Sequence, residues 1–470
     1  MTSLFRVFKI VLLIFVGLFS TGALADVVPT SKGQMMLSFA PIVKQTAPAV
    51  VNVYTSKIVK QRSFSRFGND QFFKKFFGND GFLGGKSRRR KQNSLGSGVI
   101  VADDGYIITN NHVIKSGNDY RVVLSDKREF KAELLLQDPK TDLAILKIDT
   151  KGEKLKSIQL GDSDKVEVGD LVLAIGNPFG VGQTVTSGIV SALARNRVGV
   201  SSYQFFIQTD AAINPGNSGG ALVDMKGRLV GVNTAIYTRS GGSNGIGFAI
   251  PVNMVKSVIR SSRAGGKVVR PWVGARLQEV SQDIANSVGL ERPRGAMISR
   301  LHRKSPLAMG GLKRGDIIVQ INGKELDSAK EFTYRFATMQ VGDDIEVVFR
   351  RKRKRFTSTV SLIAAPETVP RNETVLSGRN PFSGLVVANI SPAVIAELGI
   401  QGSGRGVIVT GLKRGLARQA GFRKGDIVVE VNDENIKTVK TLVRVVRQGD
   451  GYWDITIRRR GRLRRMRFGG

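Results

Sequence analysis

A segment that occurs twice constrains this chain more than any other feature. Gly295-Ala-Met-Ile-Ser-Arg-Leu leads to Gly311-Leu-Lys-Arg-Gly-Asp-Ile-Ile-Val-Gln-Ile-Asn322, and Gly406-Val-Ile-Val-Thr-Gly-Leu leads to Gly421-Phe-Arg-Lys-Gly-Asp-Ile-Val-Val-Glu-Val-Asn432. Stacked repeats need about three copies before a shared core is buried. Two copies must therefore each close a core of their own, which makes them separate domains. In both, a Gly-Asp turn opens an alternating strand and a helix follows. Ser328-Ala-Lys-Glu331 is a capping box for the first helix, and Thr438 starts the second. The expected domains are 266–365 and 382–470, with the polar stretch 366–381 as the linker between them.

Upstream of the repeats the pattern changes. From Val50 to Pro251 short β-rich runs alternate with Gly, Asp and Asn turns, for example Gly98-Val-Ile-Val-Ala, Leu143 to Ile148, Leu171 to Ile175 and Leu229 to Thr234. Many short strands without intervening helices predict an all-β barrel or sandwich. Pro251 followed by Val252 to Arg263 predicts a closing helix, with proline where its missing N–H costs nothing. Residues 61–92 hold seven phenylalanines and the run Arg88-Arg-Arg-Lys91, and read as a long loop. Met1 to Ala25 reads as a secretory signal. Arg6 and Lys9 precede the apolar run Ile10 to Phe19, and Ala23-Leu24-Ala25 supplies the small-residue cleavage site. That run is shorter than the ~18 residues of a spanning helix. The chain is expected to be exported to the periplasm and cut after Ala25, leaving a domain over 26–265.

Composition then removes whole classes of chemistry. The chain has no cysteine and only two histidines, His112 and His302, so no disulfide, thiol nucleophile or metal site is expected and no cofactor is implied. What remains is a serine. Gly216-Asn217-Ser218-Gly219-Gly220 can turn sharply enough to aim backbone N–H groups at one point, and a serine hydroxyl becomes a nucleophile when a base takes its proton. His112, in Thr109-Asn-Asn-His-Val-Ile after a strand, is the base; His302 lies among cations in Arg300-Leu-His-Arg-Lys304 and reads as a surface residue. Asp142 directly precedes Leu143-Ala-Ile-Leu-Lys-Ile, where a buried carboxylate needs a hydrogen-bonding partner such as an imidazole. Asp138, in an Asp-Pro turn, is its competitor. The order His112, Asp142, Ser218 matches the chymotrypsin order.

Thr109-Asn-Asn-His112-Val, Thr141-Asp142-Leu-Ala, Asn214-Pro-Gly-Asn-Ser218-Gly-Gly-Ala-Leu and Gly245-Ile-Gly-Phe-Ala-Ile-Pro251 together resemble the HtrA (Deg) family of exported serine endoproteases, in its form with two PDZ domains. The resemblance implies a mainly β chain: a trypsin-like double β-barrel followed by two PDZ domains, each a small sheet with helices. It implies ATP-independent cleavage of unfolded or misfolded envelope proteins, a chaperone-like activity, and homotrimers that build larger cages. Ser218 would be the nucleophile, His112 the general base and then acid, Asp142 the orienting anion, and the amides of Gly216, Asn217 and Ser218 the oxyanion hole. Ala212, Ile246, Gly247 and Phe248 would line an apolar specificity pocket, with Asp210 the one nearby carboxylate. The segment 195–203 matches the family's sensor loop by position. The repeats would bind C-terminal peptides on Trp272, Val273, Gly274 and Ala275 in the first copy and on Gly384, Leu385 and Val386 in the second.

Charge supplies a last expectation. Lys and Arg number 72 against 38 Asp and Glu, a net charge of +34. Both repeats end in cations, Arg350-Arg-Lys-Arg-Lys-Arg355 and Arg458-Arg-Arg-Gly-Arg-Leu-Arg-Arg-Met-Arg467. They suggest contact with an anionic membrane surface, with no specific nucleic acid among the partners. A holdase or scaffold that binds without cutting is the alternative function, and the complete His/Asp/Ser set argues against it.

Overall fold

The computed structural model describes residues 38–60, 89–115, 117–177, 182–193, 205–214, 216–236, 244–266, 268–400, 406–449 and 451–469. The expected signal over 1–25, most of the loop 61–92 and the segment 195–203 lie outside the described residues. The chain divides into two compact units, Met1–Gln45 and Thr46–Gly470. The described part of the first leads into helix α1 (Ala40–Thr46). No helix among the described residues is long and apolar enough to cross a membrane.

The second unit opens with two closed barrels. Strands β1 (Val50–Lys60), β2 (Arg89–Ala102), β3 (Tyr106–Asn110), β4 (Asp119–Val123), β5 (Glu129–Asp138) and β6 (Leu143–Ile148) close in the order β1-β2-β3-β6-β5-β4. Strands β7 (Leu171–Gly176), β8 (Thr184–Leu193), β9 (Ile207–Thr209), β10 (Ala221–Asp224), β11 (Leu229–Ile236) and β12 (Gly247–Pro251) close in the order β10-β11-β12-β9-β8-β7. Buried β-branched and aliphatic residues fill each barrel: Val51, Val53 and Ile107 meet over Gly98 in the first, and Val172, Val190, Leu222 and Val230 pack together in the second. Full burial of such a side chain contributes roughly 1.5–3 kcal/mol. The strand β6 is buried on both faces apart from Lys147, whose ammonium lies 4.3 Å from the centre of the Tyr106 ring and 3.0 Å from Asp104. Helix α2 (Asn111–Ile114) is one short turn after β3. Helix α3 (Val252–Arg263) follows β12 directly, with Pro251 both the last strand residue and the N-cap.

Each repeat builds its own sheet. The first joins β13 (Ala275–Glu279), β14 (Ala296–Leu301), β15 (Ile317–Ile321), β16 (Lys324–Glu325), β17 (Asp344–Arg351) and β18 (Lys354–Ser361), in the order β13-β14-β15-β17-β18 with β16 beside β15. Helix α4 (Ala329–Thr338) starts where the Ser328 hydroxyl accepts the Glu331 N–H at 3.1 Å. The reciprocal bond of the expected capping box is displaced by one residue: the Glu331 carboxylate accepts from Asp327, at 2.8 Å. The second repeat joins β19 (Thr374–Val375), β20 (Leu385–Asn389), β21 (Val407–Leu412), β22 (Ile427–Val431), β23 (Glu434–Asn435), β24 (Trp453–Arg459) and β25 (Arg462–Phe468), in the order β19-β20-β21-β22-β24-β25 with β23 beside β22. Helix α5 (Val439–Gln448) is capped by Thr438. The strand β19 falls inside the stretch expected to be a linker, so the second sheet takes up chain before residue 382.

The Gly-Asp turn shared by the repeats has a physical role. Asp316 and Asp426 are almost fully buried, and each is gripped by the guanidinium of a cation at the end of its own sheet. Arg351 donates to both Asp316 oxygens at 2.8 and 2.7 Å and to the Gly311 carbonyl at 2.8 Å. Arg459 donates to both Asp426 oxygens at 2.6 Å each and to the Gly421 carbonyl at 2.7 Å. These bonds raise the pKa of both arginines, the hydrogen bond to the aspartate being the largest cause. One cation of each basic run is thus structural. Removing it strands a buried carboxylate, at a cost of about 3 kcal/mol or more. Arg351→Ala should therefore lower the urea midpoint of the first repeat and Arg459→Ala that of the second. Arg353→Ala, on the exposed turn, should leave both midpoints unchanged.

Candidate active site

The register of β3 against β6 sets the site. Asn110 pairs with Leu143, which brings the turn after β3 beside the residue before β6. The Asp142 carbonyl accepts from Asn111 N–H and from the Asn110 side chain, both at 3.0 Å. Those bonds hold Asp142 in the left-handed region, φ 62°, which Asp tolerates better than most residues. In that conformation the carboxylate faces His112. Oδ1 accepts the His112 backbone N–H at 3.0 Å and Oδ2 lies 2.7 Å from His112 Nδ1. A carboxylate can only accept, so Nδ1 carries the proton and Nε2 is left as the basic nitrogen. Asp142 is 2% exposed, and burial of that carboxylate is offset by its bonds. The competitor Asp138 is committed elsewhere, to Thr141 and to an ion pair with Arg270. His302 is exposed in the first repeat.

Thr234, which sequence reasoning missed, joins the acid to the serine. Its hydroxyl donates to Asp142 Oδ2 at 2.7 Å, and its carbonyl accepts the Ser218 hydroxyl at 3.2 Å. Thr234 is fully buried on β11. The available signal was the polar pair Asn233-Thr234 inside an apolar strand, where each polar group must find a partner.

Around Ser218 nearly every backbone group is spent. Asn217 N–H donates to Asn214 O at 3.0 Å, Gly219 N–H to Asn233 O at 2.8 Å and Gly220 N–H to Asn217 O at 2.9 Å. The Ser218 carbonyl accepts from Ser97 N–H at 2.8 Å, and the Gly216 carbonyl from the Ser97 hydroxyl at 2.6 Å. Among the described residues only the Gly216 and Ser218 N–H groups of this loop have no acceptor. Buried N–H groups are almost always paired, so two spare ones side by side mark a place for an anion. The Asn217 amide, expected to share that place, belongs to the turn instead. Gly216 and Gly219 adopt φ 102° and 86°, and a Cβ on Gly219 would sit 2.1 Å from the Ser97 carbonyl oxygen.

Ala212 is half-buried, and its carbonyl accepts from the Thr186 hydroxyl at 2.9 Å. Ile246 is half-buried and Gly247 leads β12, where a Cβ would meet the Ile213 side chain at 2.7 Å. Phe248 follows Gly247 on β12. Strand alternation turns it to the opposite face from Gly247, and its buried ring meets Phe206 edge-on, with centres 6.0 Å apart. The Asp210 carboxylate accepts the Ile189 N–H at 2.7 Å, and Gly188 leaves room for it.

Comparisons with known proteins identify the domains. Residues 96–232 match the model of the trypsin-like peptidase domain, and residues 271–362 and 407–459 each match a PDZ domain. A protein of Marinomonas sp. (strain MWYL1), named as a periplasmic serine endoprotease, DegP-like, is 38% identical over 87% of this chain and 88% of its own. One of the same name from Pseudomonas putida strain F1 is 36% identical over 90% of this chain and 91% of its own. The solved structure of the HtrA-type protease AlgW with a decapeptide is 42% identical, with a TM-score of 0.51 over 70% of this chain and 99% of that one. The chain belongs to the DegP-like, HtrA-type serine endoproteases.

In this DegP-like protease the two PDZ domains differ at the edge where a peptide would add. In the first, β13 is the terminal strand, and among the described residues its outer edge carries no other strand. Val273 and Gly274 N–H have no acceptor among the described residues, while their carbonyls accept from the Ser305 hydroxyl at 2.6 Å and His302 N–H at 2.8 Å. Trp272 is fixed by its N–H on Ile363 O at 2.8 Å, and Ala275 starts β13 opposite Leu301. Helix α4 is anchored to the second barrel by Tyr334. Its ring stacks on Phe205 with centres 4.1 Å apart, its hydroxyl lies 3.2 Å from Ser163 Oγ, and burial raises its pKa.

In the second PDZ domain the expected groove at Gly384, Leu385 and Val386 is already filled by the chain itself. Val375 pairs with Val386 and Thr374 with Val387, antiparallel. Leu376 N–H donates to Leu385 O at 2.8 Å, and Gly384 N–H donates to Leu376 O at 2.9 Å. Ser383 and Leu385 N–H go to Asn380 O and Phe382 O at 3.1 and 2.9 Å. The Leu376 side chain is buried in the same core as Leu385, Val387 and Leu442. The loop amides expected to hold a carboxylate are consumed.

Thr234→Val keeps the shape and removes the hydroxyl bond to Asp142. A hydrogen bond to a charged group is worth about 1.5–3 kcal/mol, so steady-state turnover of a peptide substrate should fall about tenfold or more. With Asp210 bonded to β8 and Phe248 turned away, a peptide-library profile should favour Ala, Val or Ile before the cut bond; dominance of Arg or Lys contradicts the apolar pocket.

Proposed function

We propose that this protease cuts unfolded or misfolded envelope proteins with Ser218 as nucleophile, His112 as general base and Asp142 as the orienting anion. His112 Nε2 takes the Ser218 proton as Oγ bonds to the scissile carbonyl carbon. The Ser218 hydroxyl first turns from the Thr234 carbonyl to the imidazole. The oxyanion lies on the Gly216 and Ser218 N–H groups. On collapse the C–N bond breaks and His112 returns the proton to the leaving amine; water then repeats the sequence on the acyl-enzyme. The unspent N–H groups of Gly216 and Ser218 carry this reading, because a hydrogen-bonded loop with donors and no acceptor suits a developing negative charge. Ser218→Ala should reduce hydrolysis of an unfolded model protein by several orders of magnitude, without ATP or metal in either assay. Cleavage retained by that variant contradicts the assignment.

The site of action is the periplasm, after removal of residues 1–25. The relatives' printed names and the charged-apolar-small order of those residues support it. Holding of unfolded protein without cutting, and assembly into trimers or larger cages, rest on the family resemblance alone. Arg458, Arg460, Arg462 and Arg464 are exposed around the last hairpin, while Arg465 and Arg467 pair with Asp454. The exposed four support contact with an anionic surface.

Peptide capture belongs to the first PDZ domain, on the open edge of β13 and the Val273 and Gly274 N–H groups, with the second closed by its own strand. Calorimetric titration of the Ser218→Ala protein with a peptide ending in a free apolar residue should give one site per chain, and the C-terminally amidated peptide should give none. Two carboxylate-dependent sites per chain contradict this division.

A further inference from the structure

We infer that Ser97 is a positioning residue for the oxyanion site, holding the peptide plane between its two donors; this rests on the reading of Gly216 and Ser218 given above. Ser97 lies on β2 of the first barrel, is fully buried, and belongs to no part of the His/Asp/Ser set. Its hydroxyl has one proton and gives it to the Gly216 carbonyl at 2.6 Å, while accepting the Asn177 N–H at 2.8 Å. Asn177 follows β7 of the second barrel. A single oxygen therefore connects the loop of the nucleophile to both barrels.

The consequence lies in which planes can turn. The loop has three consecutive peptide units after Gly216 N–H. The unit Ser218-Gly219 is held at both ends by backbone, through Ser97 N–H on Ser218 O and Gly219 N–H on Asn233 O. The unit Asn217-Ser218 has its carbonyl on Gly220 N–H. The unit Gly216-Asn217 has its N–H on Asn214 O, but its carbonyl is held by the Ser97 side chain. This is the plane that separates the two spare N–H groups, and its first residue is a glycine at φ 102°, free to occupy other backbone regions. Without the hydroxyl the buried Gly216 carbonyl loses its donor, and rotation of the plane toward another partner becomes favourable. Rotation moves the Gly216 and Ser218 N–H groups off a common point. Ser97 touches neither base nor nucleophile through its side chain, so its effect should fall on oxyanion stabilisation alone.

The test uses full-length Ser97→Ala and Ser97→Cys, the latter keeping the shape with a weak donor. With a chromogenic peptide, kcat of Ser97→Ala should fall about 10- to 100-fold, short of or level with the loss of a whole oxyanion donor, with KM within twofold. The inhibition constant of a peptidyl boronate, which needs the same donors, should weaken by the same factor. Binding of the product peptide, which needs none, should not change. Ser97→Cys should fall between the two on both scales. Stoichiometric labelling of Ser218 by a fluorophosphonate in Ser97→Ala shows the nucleophile and base intact, which separates failure here from failure of the wider reading. An unchanged kcat, or a loss of kcat without a matching loss of boronate affinity, overturns the role of Ser97. If Ser97→Ala does not fold, Ser97→Cys decides by the same proportionality.

Discussion

The site depends on a contact between the two barrels in which Ser97 on β2 meets the turn from Gly216 to Gly220 ahead of β10. Among the described residues strands pair within each barrel and not between them, and the Ser97 bonds to Ser218 O and Gly216 O and from Asn177 N–H join the two beside Ser218. The glycines of the turn make that approach possible. At Gly219 an added carbon would collide with the Ser97 carbonyl, and at Gly220 with the Ile175 carbonyl at 2.3 Å. Asp142 and His112 come from the first barrel through the β3/β6 register, and Thr234 on β11 reaches back to Asp142. Among the described residues, hydrogen bonds between the strands and turns of the two barrels position the site.

Much of this was legible in the residues. His112, Asp142 and Ser218 each sit at a point where apolar periodicity breaks, and a carboxylate immediately before a strand with five of its six residues buried needs a partner. Short strands and turn spacing pointed to an all-β barrel or sandwich, the family resemblance made it two barrels, and the duplicated Gly-Asp segment marked two further domains. What stayed hidden depends on pairing between distant segments. Ser97 and Thr234 are ordinary strand residues until their neighbours are known. The Asn217 amide looked available because a turn bond to Asn214 leaves no trace in composition. Gly247 and Phe248 take opposite faces of β12, and the Phe206 ring that Phe248 meets is a partner that composition does not show. The two-residue strand β19 has too few positions to show a period.

The duplicated domains illustrate how one sequence pattern can support two uses. Both retain the buried Asp-Arg clamp, at Asp316 with Arg351 and Asp426 with Arg459, which stabilises the sheet without touching the peptide edge. The edges diverge because of the chain that precedes them. Ahead of β13 it runs past Arg270, which is tied to Asp138 of the first barrel. Ahead of β20 it folds back, and Arg371 O and Leu376 O take the N–H groups of Asn389 and Gly384. A polar connecting segment thereby becomes a strand, stapled by the Arg371–Glu397 pair and by the Thr410 hydroxyl on Glu373 at 2.7 Å.

The central claim is that the nucleophile loop has two spare donors, held apart from every other backbone group by bonds to both barrels. A crystal structure with a peptidyl boronate tests it most directly. The account predicts boron bonded to Ser218 Oγ, one boronate oxygen accepting from Gly216 and Ser218 N–H, and the Asn217 N–H still on Asn214 O. An adduct oxygen held by the Asn217 N–H, or by neither Gly216 nor Ser218, contradicts it.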